Sequence, residues 1–98
     1  MLETLTHESF APHLGSPFEL RLEGRTLALE LIDVKPYAGE AGRTPKRQPF
    51  SLFFRGPREV YLPQQVMPLH HPALGRLDIF VVPVGLETDG YRYEAVFT

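Results

Sequence analysis

The sequence predicts an all-β domain: a small antiparallel barrel or sandwich of about six strands, with a short N-terminal helix. Three observations carry that prediction. Ten Pro and eight Gly in 98 residues interrupt the chain too often for a helical bundle. From Pro17 onward the apolar residues alternate at period two instead of recurring at helical spacing. Gly24-Arg25 and Asp89-Gly90 each sit between alternating runs, where hairpin turns belong. A chain of this length supports one hydrophobic core, so residues 1–98 read as a single domain. With 43% apolar and 22% charged residues the composition is that of a globular protein.

Residues 1–15 read as a short helical lead-in. Thr6 offers an N-cap oxygen, Glu8 lies in the first turn where the helix dipole favours an acid, and Pro12 and Gly15 stop the helix. A first hairpin follows. With the turn at Gly24-Arg25, Leu22, Leu20 and Phe18 fall opposite Leu27, Leu29 and Leu31, and all six share one face. The apolar parity then moves to Ile32 and Val34, which predicts a bulge. Residues 36–49 hold three Pro, two Gly and three basic residues and read as an exposed basic loop.

Phe50 to Phe54 is a third strand, apolar on both faces and therefore unsuited to a solvent-exposed edge. A fourth spans about Val60 to Leu69. Pro63 and Pro68 each remove a ladder donor, which predicts an edge or a break. Leu77 to Val84 is a fifth. A turn at Asp89-Gly90 pairs Leu86 with Tyr93, Val84 with Ala95 and Val82 with Phe97, and sets Glu87 opposite Arg92. The phenylalanines Phe50, Phe53, Phe54, Phe80 and Phe97 are expected in the core, and Tyr61 and Tyr91 near strand ends.

The chemistry that the sequence lacks narrows the function. Without Cys there is no disulfide, thiolate metal site or Cys nucleophile. His70 and His71 are adjacent, so on a strand they point to opposite faces, and no metal site is expected. Ser51, His70 and Asp78 form no recognisable triad, because Ser51 lies inside an apolar strand and not on a strained elbow. Glu19 and Glu30 fall opposite each other in the first hairpin and read as a solvated sheet face beside Arg21. No phosphate-binding glycine loop is present. The expectation is a non-enzymatic protein without cofactor or metal.

Charge is unevenly placed. Residues 35–58 carry Lys35, Arg43, Lys46, Arg47, Arg55 and Arg58 against Glu40 alone, net +5, and the remainder is −7. Arg43, Lys46, Arg47, Arg55 and Arg58 are therefore the candidate partner-binding residues. Tyr37 is the only aromatic of the loop, so base stacking has no platform and nucleic acid is not the expected partner. No apolar run reaches the ~20 residues of a membrane span, and Met1 to Phe10 lacks the form of a signal peptide, which predicts a cytoplasmic protein. The absence of Asn and the many Pro and Arg suit a thermophilic source, and equally a GC-rich genome.

The stretch Phe50-Ser51-Leu52-Phe53-Phe54-Arg55-Gly56-Pro57, then Leu62-Pro63-Gln64, His71-Pro72-Ala73-Leu74-Gly75, the Phe80 to Gly85 run and the closing Tyr93-Glu94-Ala95-Val96-Phe97 resemble a small uncharacterised bacterial domain family of this length. The similarity covers nearly the whole chain. It implies an accessory structural role, since members accompany phage-tail-collar-like proteins, and it transfers no catalytic residue. The functional expectation is an interaction or assembly module. It would bind a protein partner, a phage-tail-like structure or its own copies, through a sheet edge or the basic loop. The alternative is a small-molecule-binding β-barrel with a cavity lined by Tyr91, Tyr93 and Phe97.

Overall fold

The computed structural model describes residues 4–37 and 48–98. A helix, α1 (His7–Phe10), runs into a 3-10 turn at Ala11–His13. The strands are β1 (Pro17–Leu22), β2 (Arg25–Pro36), β3 (Phe50–Gly56), β4 (Gln65–His71), β5 (Gly75–Glu87) and β6 (Gly90–Phe97). They close into an antiparallel barrel in the order β1-β2-β3-β6-β5-β4. Closure settles the choice between barrel and sandwich, and it removes the sheet edge expected at the fourth strand.

Closure is thinnest between β1 and β4. Only Glu19 and Leu20 pair across that seam, with His70 and Leu69. Continuing the same register brings Arg21 opposite Pro68, which has no N–H to donate, and the ladder stops there. The expected fourth strand is shorter and later than predicted, with Val60–Gln64 outside it.

The first hairpin keeps its predicted faces and is shifted in register by two. The last is shifted by two at its turn and by three beyond a bulge between Pro83 and Gly85, which sets Val82 opposite Glu94 on the outer face and not on the face of Ala95 and Phe97 as expected. Leu20 pairs with Leu27 and Phe18 with Leu29, so the first turn is Glu23–Gly24 and not Gly24-Arg25. Positive φ falls on the second loop residue, Gly24 at 85°, not on the first as a II′ turn would require. Glu19 consequently faces Ala28, and Glu30 faces Pro17, so the two carboxylates are not opposite. In the last hairpin Glu87 pairs with Gly90 and Leu86 with Tyr91, which makes Thr88–Asp89 the turn in place of Asp89-Gly90. Glu87 and Arg92 still share the outer face and form an ion pair at 3.7 Å. The bulge expected after Leu31 is present, between Leu31 and Asp33.

Inward side chains fill the interior. Phe18, Leu29, Leu31, Phe50, Leu52, Phe54, Met67, Leu69, Ile79, Val81 and Tyr93 are fully buried. Phe50 and Phe97 stack at 4.6 Å, and Phe10 of α1 closes over them at 5.9 and 5.7 Å. Thr6 caps the helix, its N–H donating to Ser9 Oγ at 3.0 Å. Tyr93 accepts a hydrogen bond from the Leu62 N–H at 3.1 Å, which ties the loop before β4 to the core. Burial holds its phenol above the usual tyrosine range.

Two of the five phenylalanines placed in the core belong outside it. Phe53 points outward and is half-buried beneath Arg92, whose guanidinium lies 4.6 Å from the ring. Phe80 is 52% exposed. β5 pairs with β4 through Met67–Ile79 and Leu69–Leu77, which turns its odd-numbered residues inward. Phe80 is thereby set outside, and a second bulge between Pro83 and Gly85 leaves Val84 and Leu86 exposed as well.

Candidate interaction surface

Three exposed apolar side chains line up across the outer face of β4, β5 and β6. Val66 pairs directly with Phe80, and the β5–β6 register that pairs Val82 with Glu94 carries Phe80 opposite Val96. Val66, Phe80 and Val96 are 59%, 52% and 62% exposed, with Val82 half-buried beside them. Two shallow clefts run along this row. One is lined by Val66, Asp78, Phe80 and Val96, the other by Phe80, Val82, Glu94 and Val96. Apolar side chains directly opposite on neighbouring strands form a continuous surface, and such a row on an outer face marks a contact site more often than chance.

The row borders the root of the basic loop. Val96 pairs with Ser51 on β3. Ser51 is fully buried because Tyr37 lies over it: the Tyr37 hydroxyl donates to Ser51 Oγ at 2.9 Å, and Ser51 donates to Glu94 Oε2 at 2.7 Å. The Tyr37 N–H donates to the Pro49 carbonyl at 2.8 Å, and Gln48 Nε2 donates to the Tyr37 carbonyl at 3.1 Å. The two ends of the basic segment are thus pinned together beside Val96. Ser51 has its partners in Glu94 and Tyr37, not in His70 or Asp78.

The predicted basic residues separate into two groups. Arg43, Lys46 and Arg47 lie outside the described residues. Arg55 sits at the far end of β3, where it pairs with Glu30 at 3.5 Å and Asp89 at 3.7 Å. Arg58 donates to the Glu87 carbonyl at 2.8 Å. Both brace the β5–β6 turn and are distant in register from Val96. The residues of the alternative cavity are placed differently again. Tyr93 and Phe97 are core side chains, and Tyr91 is half-buried, 5.4 Å from the Tyr61 ring. Among the described residues no group of three or more His, Asp or Glu side chains is placed to hold a metal.

A family model matches residues 5–97, essentially the whole barrel with its helical lead-in. The chain belongs to the DUF6916 family, a domain of unknown function. The DUF6916 match therefore takes in every element that builds the outer apolar row, from β4 to β6. No curated protein and no solved structure matches the chain. No helix among the described residues is long and apolar enough to cross a membrane.

Sequence reasoning missed the row because Phe80 read as core. A signal was present: Val66, Phe80 and Val96 each neighbour a residue of opposite parity that is itself apolar, Met67, Ile79 and Phe97. Apolar residues on both faces of three paired strands require either a second covering layer or an exposed patch.

Proposed function

We propose that this domain is a non-enzymatic interaction and assembly module that docks a protein partner on the Val66–Phe80–Val96 row. In this reading the positive charge of the basic segment, whose described ends Tyr37 and Pro49 meet beside Val96, steers an acidic surface toward the row. The observation that carries the reading is the register: three large, half-exposed apolar residues fall in one line across three strands, on a barrel whose interior is already filled. A packed interior leaves recognition to the outside. The resemblance to a family that accompanies phage-tail-collar-like proteins favours a component of such a structure as the partner, in a bacterial cytoplasm.

The test is affinity capture from host lysate, with identification of the bound protein, alongside sedimentation of the purified domain to detect self-association. Phe80→Asp should weaken capture at least about tenfold, since a buried carboxylate inside an apolar contact costs more than 1.4 kcal/mol. Reversal of Arg43, Lys46 and Arg47 to Glu should leave the fold intact and flatten the salt dependence of capture. Capture unchanged in both variants would overturn the proposal. Tight duplex DNA binding with a steep salt slope would replace it with a nucleic-acid role.

A further inference from the structure

At the β1–β4 end of the barrel a buried histidine ties the N-terminal lead-in to the sheet, next to two backbone hydrogen bonds, Gly15 N–H to the Leu31 carbonyl at 2.7 Å and Leu31 N–H to the Ser16 carbonyl at 3.1 Å. His71 closes β4 and points inward, 7% exposed. Its ring packs against Phe18 of β1 at 4.6 Å and, edge-on, against His13 of the 3-10 turn at 4.6 Å. Both ring nitrogens are engaged. The Ala73 N–H donates to Nδ1 at 3.0 Å, so Nδ1 carries no proton. Nε2 then carries it and donates to Ser16 Oγ at 2.8 Å. His13 and Ser16 flank the turn that leads from α1 into β1, so one imidazole joins the lead-in, β1 and β4.

We propose that His71 is a pH-sensitive latch: its protonation releases the His13–Ser16 turn and opens the helical lead-in, uncovering the aromatic mouth that Phe10 closes. A second ring proton has only Nδ1 to occupy, and Nδ1 faces a backbone N–H. Protonation therefore breaks the Ala73 bond and sets two donors against each other. It also places a cation against the His13 ring, 4.6 Å away, and two charged imidazoles repel each other.

The remaining charged groups near His71 lie on the outer side of the seam. Glu19 and Arg21 of β1, His70 of β4 and Arg76 of β5 line, together with His71, a cleft of about 450 Å³. Arg21 is paired with Glu19 at 3.4 Å and Arg76 with Asp78 at 3.0 Å. Among the described residues no carboxylate pairs with the His71 ring, and Ser16 is the one side chain hydrogen-bonded to it.

Burial first, and His13 second, push the His71 pKa below its ordinary value of 6.5. The sign of the linkage follows. A histidine with a lowered native pKa binds its proton more tightly once released, so the latch contributes in full above 6.5 and is lost as pH falls through the lowered value. The lead-in has little stability of its own. α1 is four residues long, far below the length at which an isolated helix persists, and it is held by Phe10 at one end and, at the other, by the His71 contacts and the backbone bonds of Gly15 and Ser16 to Leu31.

The experiment is amide hydrogen exchange between pH 7.5 and 5, as protection factors corrected for intrinsic rates, with a fluorescent probe of exposed apolar surface. Protection over residues 7–16 should fall several-fold on acidification and probe binding should rise, while β2, β3 and β6 stay protected. His71→Gln, which cannot titrate, should abolish that pH dependence. His7→Gln and His70→Gln should preserve it. Uniform protection of residues 7–16 across this range would overturn the proposal, as would equal loss throughout the strands. If His71→Gln does not fold, the wild-type titration decides: the His71 ring and the Ala73 amide must shift together, at a pH below the ordinary histidine value of 6.5.

Discussion

The two hairpin turns of the barrel share a local design and differ in what holds them. Each is a two-residue loop that depends on a glycine with positive φ, Gly24 at 85° as the second loop residue and Gly90 at 149° just after the loop. Around Glu23–Gly24 the chain is exposed from Arg21 to Thr26, and nothing lies within 4 Å of where a Gly24 side chain would stand. Around Thr88–Asp89 the opposite holds. Gly90 is buried against the Gly56 carbonyl, Arg55 pairs with Asp89, and Arg58 reaches the Glu87 carbonyl. One glycine is required by its own backbone angle. The other is required by a neighbouring strand 34 residues away in sequence, a constraint no local motif expresses.

Gly90→Val is the strongest test of that difference. A Cβ at Gly90 would run into the Gly56 carbonyl oxygen, which is backbone and cannot swing aside without opening the β3–β6 ladder. Overpacking against backbone, added to an unfavourable φ, should lower stability by about 3 kcal/mol or more. Chemical denaturation measures it. A midpoint equal to wild type would mean that β3 and β6 do not approach this closely, and the comparison would fail.

The same contrast explains how far the sequence could be read. Alternation assigned the faces of the first hairpin, because Phe18, Leu20, Leu27 and Leu29 have to share a side, but in the last hairpin the bulge between Pro83 and Gly85 broke it and left Val82 and Val84 off the face of Ala95 and Phe97. It could not fix register, since a slip of two preserves every face. The choice between Glu23–Gly24 and Gly24-Arg25 depends on which residue takes positive φ, and at Gly90 on the approach of Gly56. Closure was illegible for a related reason: two residue pairs between Glu19–Leu20 and Leu69–His70 leave no local signature. Of the candidate surface, Phe80 was misplaced because β5 is apolar on both faces and only its pairing with β4 decides which is inside. The His71 contacts join His13 and Ser16 to a residue 55 positions beyond Ser16, out of reach of any motif.

Gly24→Ala should cost less. No atom obstructs the new methyl, so the penalty is the left-handed backbone alone, about 1 kcal/mol, part of it offset by a stiffer unfolded chain. Gly24→Asn should come closer still to wild type, because Asn tolerates that conformation. A loss from Gly24→Ala as large as that from Gly90→Val would show that the exposed turn has a packing partner after all.

The smallest effect is expected at Arg58, and it separates bracing from partner binding. Arg58 lies on the surface and donates to the Glu87 carbonyl at 2.8 Å, with Thr88 further off at 3.5 Å. Water competes for an exposed carbonyl, so Arg58→Ala should lower global stability by only about 0.5 kcal/mol. The local consequence should be easier to see. Without that donor the β5–β6 turn keeps the Arg55–Asp89 pair but loses its hold on the Glu87 carbonyl, and exchange of the turn amides at residues 88–90 should accelerate while the paired strands stay protected. Capture of a partner on the Val66–Phe80–Val96 row should be unaffected, since Arg58 is spent at the other end of β5. Weakened capture with unchanged turn exchange would reverse the assignment and make Arg58 part of the interaction surface.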